Sequence, residues 1–357
     1  MTVRAPSLTN VARLAAEYAV PIPDVLLMAL NLHGLATDIG NGRARMEVRL
    51  DQAPAQEWHV IVPTGQPASE YEVAEGALLL SGQPVGTVRL VEHDDAKLGY
   101  FRDTGRVITA NTNRRSTCTG CVFCPNTMTD ANDPRIYRED AEIRALLTSV
   151  LAERRWADLS SVREINLSTG CFGEEARALA HLAGLRAILG EHGFGGRLGI
   201  LTSVIRSAQG LRTFADVGPA AVFLTLECLT RRDVLLKDTK ADLTPAEAIQ
   251  VLRRAREAGV STGVMLVIGL DDLTDVADWL SEAALYLTDF PNLQIFQSHS
   301  PFMSIFRMPG ADTIEYFLTA RKRLEAVLLP TGLRPQPWQN YRPLWHYGFG
   351  SERLLGS

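Results

Sequence analysis

The stretch "NRRSTCTGCVFCPNTM", residues 113–128, holds three of the five cysteines of this 357-residue chain within seven positions. They are Cys118, Cys121 and Cys124. Thiols so close together, without a second cysteine group elsewhere, are not a secreted disulfide framework and instead indicate metal ligation. Two questions follow: which metal site this loop holds, and which group supplies the fourth ligand.

Three kinds of metal site compete for the loop. A structural zinc site needs four closed ligands, but Cys171 and Cys228 stand alone and no histidine lies near the loop. A ferredoxin-type carrier uses C-x2-C-x2-C-x3-C-P, and here its fourth position falls on Met128, whose thioether does not replace a thiolate on iron. We favour the third interpretation, a [4Fe–4S] cluster held by three thiolates, with one iron open for a substrate or cofactor. Zinc and the electron carrier remain the weaker alternatives.

From Arg106 onward, a pattern of strand, loop and helix repeats six times. The strands are near-continuous apolar stretches, which is typical of a parallel sheet covered by helices. Six such units favour an open or partial barrel, whose reactive groups lie on the loops after the strands. The cysteine loop and the loops after Thr169, Glu227 and His299 occupy such positions. The predicted fold class is α/β, a partial (β/α)6 TIM-like barrel with a small N-terminal α+β domain.

We predict three parts along the chain: an α+β domain over residues 1–105, the barrel over 106–332 and an aromatic, proline-rich tail over 333–357. The first part shows two helical segments followed by alternating stretches, such as "RMEVRL" and "EWHVIV", that predict strands. We find no chemical motif in it. The tail has no helical period, and packing is a more favoured role for it than contact with substrate.

Charge and hydropathy limit the partners. The 36 basic and 41 acidic residues give a net charge of −5, which argues against a nucleic-acid partner. No stretch approaches the roughly 20 apolar residues of a membrane span. The first residues lack the apolar centre of a signal peptide. We expect a soluble, cytoplasmic protein without a nucleic-acid or membrane partner.

The cysteine loop, placed after the first barrel strand, resembles that of the radical S-adenosylmethionine (SAM) enzymes. The resemblance covers roughly residues 106–332, and Phe123 precedes the last cysteine as an aromatic residue commonly does in that family. It implies that Cys118, Cys121 and Cys124 hold a [4Fe–4S] cluster whose open iron is chelated by SAM. It also implies an external one-electron reductant of the flavodoxin or ferredoxin type. Cleavage of SAM in the family usually yields a 5′-deoxyadenosyl radical.

Three later segments resemble SAM-binding motifs of the family, in the same order along the repeats. "STGCFGEE" resembles the Gly-Gly-Glu motif, "LTLECLTRRDVLLKD" the fourth-strand segment ending in a glutamate, and "VMLVIGLDD" the fifth-strand motif that lines the adenine pocket. For the SAM carboxylate the resemblance points first to Lys237, with Arg231 or Arg232 as alternatives. The cofactor-binding residues that it implies are Phe123, Thr169, Gly170, Gly173, Glu227, Lys237 and Gly269.

The cysteine spacing departs from the family pattern. The usual form is C-x3-C-x2-C, whereas one residue fewer separates Cys118 from Cys121 here. One residue spans up to roughly 3.5 Å of chain, and bond cleavage depends steeply on alignment. We expect hydrogen abstraction by the 5′-deoxyadenosyl radical, with transfer of a 3-amino-3-carboxypropyl group from SAM as the alternative. A further alternative is a non-catalytic, metal-stabilised binding module.

Two candidate catalytic residues lie at the end of the sixth predicted barrel strand and in the loop that follows it. His299 ends that strand on the expected catalytic face. Arg307, in "HSPFMSIFRMPG", could hold a carboxylate or phosphate bidentately, or could simply be solvated. The chain has no Asp-x-His-x-x-Gly cobalamin signature and no second cysteine group of the kind that marks many peptide-modifying relatives. We therefore expect a small polar metabolite as substrate, in natural-product or cofactor biosynthesis.

Overall fold

A computed structural model describes residues 7–39, 42–93, 98–112, 120–124, 140–168, 172–336, 343–350 and 352. The side chains of residues 90–93, 98–100 and 238 are not described. Three of the predicted site residues, Cys118, Thr169 and Gly170, lie outside the described residues.

Two helices begin the described chain, α1 (Leu8–Glu17) and α2 (Ile22–His33). Both were predicted from the sequence, and both are confirmed. Residues 23–32 of α2 are all buried, so this helix is a core element. No single helix among the described residues has the length and apolar composition of a membrane span, although α1 and α2 together pass that test as a pair bent by 117°.

A five-stranded sheet follows, and its neighbouring strands pair antiparallel in the order β2-β1-β5-β4-β3. Gly86 allows a close approach within it, because a Cβ there would lie 2.3 Å from the carbonyl oxygen of Arg49. The alternating pattern predicted every strand except β3, in which only one residue of four is buried. The strands are β1 (Arg43–Leu50), β2 (Trp58–Pro63), β3 (Tyr71–Ala74), β4 (Ala77–Leu80) and β5 (Gln83–His93).

The second sheet has seven strands in the order β12-β11-β10-β9-β8-β7-β6. Strands β7 to β10 pair parallel in chain order, and β6 lies antiparallel at the edge. Every residue of β10 and of β12 is buried, as expected when helices cover a parallel sheet. The predicted partial barrel is therefore confirmed, while the edge strand β6 was not predicted. The strands are β6 (Leu98–Arg102), β7 (Val107–Ala110), β8 (Glu164–Leu167), β9 (Arg197–Thr202), β10 (Ala220–Glu227), β11 (Ser261–Ile268) and β12 (Asn292–Ile295).

Four of the helices that follow the strands, α5, α8, α10 and α11, begin at side-chain caps. The hydroxyls of Ser207, Thr244, Ser300 and Thr313 each accept the backbone N–H three residues further on. Short 3-10 helices occupy Asp103–Gly105, Ala284–Tyr286 and Leu329–Thr331. The α-helices are α3 (Asp140–Arg154), α4 (Glu175–Glu191), α5 (Ala208–Asp216), α6 (Arg232–Leu235), α7 (Asp238–Ala241), α8 (Pro245–Glu257), α9 (Leu273–Ala283), α10 (Pro301–Ser304) and α11 (Ile314–Leu328).

The chain divides into two compact units. The first unit comprises Met1–Asp94, Leu266–Ser281 and Asn292–Ser357, and the second comprises Asp95–Met265 and Glu282–Pro291. The domain boundaries predicted at residues 105 and 332 are not tested by this division into units and stay a prediction.

In the first unit a fully buried ion pair joins α2 to α11. Arg321 Nη1 lies 2.5 Å from Asp24 Oδ2, and Asp24 Oδ1 accepts the backbone N–H groups of His346 and Tyr347 at 2.6 and 3.0 Å. Both ions have all their main hydrogen-bonding positions filled, so the pair fastens this part of the tail to the two helices. The other guanidinium N–H groups donate to the Glu325 carboxylate and to the carbonyl oxygens of Leu344, Gly348 and Gly350.

In the second unit an ion-pair network lies at the amino ends of the barrel strands. Arg197, the first residue of β9, places Nη2 2.7 Å from Glu164 Oε2 and 2.7 Å from Asp289 Oδ1. Glu164 is the first residue of β8. In parallel barrels this end stabilises the fold, which leaves the carboxyl ends of the strands for binding and chemistry.

Candidate functional site

Glu227 ends β10 at the carboxyl edge of the sheet and has a left-handed backbone, with φ of 67°. A non-glycine residue in this region is uncommon, and such residues gather where a side chain must be aimed. Its carboxylate is buried and forms an ion pair with Lys240 through Oε1. Within the described residues Glu227 Oε2 accepts no hydrogen bond, so half of the carboxylate is available to a ligand. Sequence reasoning missed Lys240, which follows Glu227 by thirteen residues.

Arg232, an alternative for the SAM carboxylate in the sequence analysis, has a structural role. The side chain is buried, and Nη1 donates to the carbonyl oxygen of Leu226 at 2.7 Å and to that of Cys228. Nη2 and Nε donate to the carbonyl oxygens of Lys240 and Ala241 at 2.5 and 3.4 Å. A guanidinium whose N–H groups donate to backbone carbonyl oxygens in this way has few donors left for a ligand. It ties the end of β10 to the helix turn that carries Lys240.

The segment between these two ends contacts the cysteine loop. The backbone N–H of Val122 donates to the carbonyl oxygen of Leu235 at 3.1 Å. Gly120 has φ of 104°, and a Cβ there would lie 2.7 Å from Cβ of Lys237. Gly120 is thus needed both for its backbone and for this close approach. The structure therefore brings the predicted residue Lys237, which is half-buried, beside the loop of Cys121 and Cys124.

The described part of the cysteine loop forms a tight turn. The N–H of Cys124 donates to the carbonyl oxygen of Cys121 at 3.0 Å. Both thiols are free of disulfides; Cys121 is buried and Cys124 half-buried. Phe123 is buried between them in sequence. A short turn with two cysteines fits the ligation of an iron–sulfur cluster, and Cys118, the third predicted ligand, lies outside the described residues.

The loop after β8 is described only from Phe172. Gly173 has φ of 42°, and no atom of the described residues would lie within 4 Å of a Cβ there. Phe172 is buried against His181, with ring centroids 5.1 Å apart. The Nε2 atom of His181 lies 2.7 Å from Oγ1 of Thr112, which is two residues past β7. Burial lowers the pKa of His181 to about 4, so the ring is neutral at pH 7. Sequence reasoning missed this contact, because Thr112 and His181 are 69 residues apart.

The remaining predicted residues belong to the first unit. Gly269, just after β11, has φ of 106°, and its carbonyl oxygen accepts the N–H of Met308 at 2.8 Å. A Cβ there would lie 3.3 to 3.4 Å from Ala311, Phe296 and Phe317. His299 and Arg307, after β12, are both half-buried. Their contribution to the site of Glu227 stays a prediction from the sequence.

Comparison with known proteins gives a family match and two structural likenesses. Residues 117–281 match the family model described as "Radical SAM superfamily". The solved structure of Streptococcus suis SuiB bound to S-adenosylmethionine is 11% identical at a TM-score of 0.43, covering 62% of this chain and 46% of that one. Methylornithine synthase (PylB) is 15% identical at a TM-score of 0.43, covering 64% of each chain. The chain thus spans about half to two thirds of the length of these structures. No curated protein matches the sequence at a significant level.

Proposed function

Because residues 117–281 belong to the Radical SAM superfamily, we propose that the chain is a radical SAM enzyme that modifies a small polar metabolite. The superfamily uses a [4Fe–4S] cluster and SAM, which confirms the predicted cofactors at the level of the family. The observation that carries the proposal is that a single segment of the chain holds Glu227 and also contacts the cysteine loop. One segment, from the end of β10 to α7, holds the half-satisfied carboxylate at one point and contacts the cysteine turn at another.

Each predicted site residue has a role in the proposed site. Cys118, Cys121 and Cys124 would hold the cluster, which supplies one electron for reductive cleavage of SAM. Glu227 would accept hydrogen bonds from SAM through the oxygen that Lys240 leaves open. Lys237 would lie beside the cluster loop, where an ammonium attracts the SAM carboxylate. Phe123, Thr169, Gly170, Gly173 and Gly269 complete the proposed cofactor-binding set.

The other features of the proposal rest on the sequence. His299 and Arg307 would contact the substrate. An external reductant of the flavodoxin or ferredoxin type would supply the electron, and the location would be the cytoplasm. Natural-product or cofactor biosynthesis is the proposed setting.

The first experiment tests the metal. Anaerobically reconstituted protein should hold about four irons per chain with matching sulfide. Cys121→Ala and Cys124→Ala should each abolish iron retention, as should Cys118→Ala, because two thiolates do not hold the cluster. Cys228→Ala is the matched control, since that thiol is fully buried at the end of β10, and it should retain the iron. Stoichiometric zinc without iron would contradict the proposal and favour the metal-stabilised binding module.

A second measurement identifies the bond that is cleaved. The reduced enzyme is incubated with SAM alone, and the nucleoside is identified by chromatography and mass spectrometry. We expect 5′-deoxyadenosine and methionine. 5′-Methylthioadenosine above the non-enzymatic background would instead assign 3-amino-3-carboxypropyl transfer, the alternative that the shortened cysteine spacing leaves open.

A further inference from the structure

Arg307 lies in a loop of the first unit whose backbone is fixed on both sides. Its own N–H donates to the carbonyl oxygen of Ser304 at 3.2 Å, and the next N–H, of Met308, reaches the carbonyl oxygen of Gly269 at 2.8 Å. The preceding turn is closed by Ser298 Oγ, which donates to the carbonyl oxygen of Ser300 at 2.7 Å. The guanidinium is therefore presented by an ordered loop after β12, the last strand of the barrel sheet.

The charge of Arg307 is not compensated by a hydrogen-bonded anion. The guanidinium carbon lies 5.7 Å from the ring centroid of Phe296. Among the residues that the structure describes, no acceptor bonds to the guanidinium, and Nε is buried without a partner. Asp312 attracts Arg307 electrostatically but forms no ion pair with it. Burial lowers the pKa of Arg307, as expected for a cation removed from water.

His33 faces the same charge. Burial is the main cause that lowers the pKa of His33 to about 4, and the positive charge of Arg307 adds to it. The imidazole is neutral at pH 7, so it neither repels an anion nor supplies the missing negative charge. A neutral imidazole still carries one N–H donor for an incoming oxygen.

Arg334, in the same unit, shows what a compensated counterpart looks like. Its guanidinium carbon lies 4.8 Å from the ring centroid of Phe349, and its Nε donates to Glu352 Oε2 at 2.9 Å. Arg307 has the aromatic neighbour but lacks the carboxylate. In the half-buried Arg307 only Nε is buried without a partner, and leaving a buried donor unpaired costs free energy. A bidentate oxyanion would supply the missing contact.

We propose that Arg307 binds an anionic group of the substrate, a carboxylate or a phosphate, beside the ring of Phe296. This inference rests on the proposed function, since the loop after the last barrel strand is where an enzyme of this fold meets its substrate. It narrows the substrate class from a polar metabolite to one that carries an oxyanion. The planar fork of arginine suits carboxylate and phosphate equally, so the choice between them is left to the experiment.

The experiment measures the thermal unfolding midpoint of the reconstituted protein against sodium phosphate and, separately, sodium acetate. Sodium chloride keeps the ionic strength constant. One of the two anions should raise the midpoint of the wild type by about 2 °C at roughly ten times its dissociation constant. Arg307→Met should remove that rise, and Arg307→Lys should keep only part of it. Arg334→Met, the compensated control, should retain the full rise.

A response to phosphate alone would assign a phosphorylated substrate, and a response to acetate alone a carboxylic acid. Equal responses of the wild type and Arg307→Met, or no response to either anion, would overturn the inference. The proposed function is tested separately, by iron content and by the nucleoside formed from SAM alone, neither of which uses these anions. If the iron and nucleoside tests succeed and the anion titration fails, only the inference about Arg307 is overturned and the proposed function stands.

Discussion

Two buried ion pairs of this chain differ in how completely their hydrogen bonds are satisfied. In the first unit, Asp24 and Arg321 are fully buried and bond on every side, to each other, to Glu325 and to the backbone of the tail. In the second unit, Glu227 and Lys240 meet through one carboxylate oxygen, at a strand end with a left-handed backbone. A saturated pair has nothing left to offer a ligand, whereas a half-satisfied one does. The degree of saturation, rather than burial or charge, separates the structural pair from the candidate binding pair.

The largest expected effect tests the structural pair. Arg321→Met leaves Asp24 buried without its cation and should lower the free energy of unfolding by about 3–5 kcal/mol. The double variant Asp24→Leu with Arg321→Met should cost less than the single one, because no charge then stays buried alone. Urea denaturation followed by circular dichroism measures both.

Arg13→Gln is the control for that experiment, since it breaks an exposed pair with Glu17 in the same unit. It should leave the urea midpoint nearly unchanged. A loss for Arg321→Met no greater than that of Arg13→Gln would mean that the buried pair does not stabilise the fold.

A smaller effect concerns pH in the same region. Burial, helped by the charge of Arg321, lowers the pKa of His346 to about 3, whereas the unfolded chain takes up this proton near pH 6.5. Between these values the unfolded state binds more protons, so stability is full above pH 6.5 and falls as the pH decreases towards 3. From pH 7 to pH 5 the share of His346 in this loss should be about 2 kcal/mol.

The measurement compares urea unfolding of the wild type and His346→Phe at these two pH values. The variant keeps an aromatic ring but does not titrate, so its loss of stability should be smaller by that share. His192→Gln, at the half-buried end of α4, should retain the loss of the wild type. Parallel losses in the wild type and His346→Phe would show that His346 takes up a proton in the folded chain as easily as in the unfolded one.

The smallest expected effect tests whether the Glu227–Lys240 pair contributes to SAM binding. Glu227→Gln and Lys240→Met should each weaken SAM binding about tenfold, roughly 1.4 kcal/mol, while the iron content is retained. The reason is that Lys240 fixes one carboxylate oxygen so that the other points to a ligand. Equilibrium binding of SAM to the reconstituted protein measures the change.

Arg206→Gln provides the matched control, because it breaks a half-buried pair with Glu247 in the same unit. It should leave SAM affinity unchanged. If Lys240→Met lowered only thermal stability and not SAM affinity, the Glu227–Lys240 pair would be structural like that of Asp24 and Arg321.

Much of the fold could be predicted because its signals are local. The apolar stretches at β7 to β12 lie where the pattern indicates. Strands β3 and β6 were not predicted; only one of the four residues of β3 is buried, so its sequence carries little apolar pattern. The helical segment at α2 was recognised, but its burial, which makes it a core helix, depends on what packs around it.

The candidate site divides in the same way. The family and the cofactors were predicted from the resemblance of the cysteine loop and of three later segments to motifs of the family, and such motifs are short stretches of neighbouring residues. The roles of Arg232, Lys240 and His181 did not follow, since each depends on a partner brought close by folding. Arg232 looked like a candidate ligand in sequence, and only its contacts with the backbone show that it is committed elsewhere.

By itself, the sequence led to the partial barrel and the superfamily, because periodicity and short motifs are properties of neighbouring residues. That Cys118, Cys121 and Cys124 ligate the cluster stays a prediction. The tertiary structure decided which charges are satisfied and which are not. Among the described residues, it saturated Asp24 and Arg321 but placed no donor on the second oxygen of Glu227 and no anion on Arg307. The physical reason is that the free energy of a buried charge depends on hydrogen-bonding partners from distant parts of the chain, and no local pattern records them.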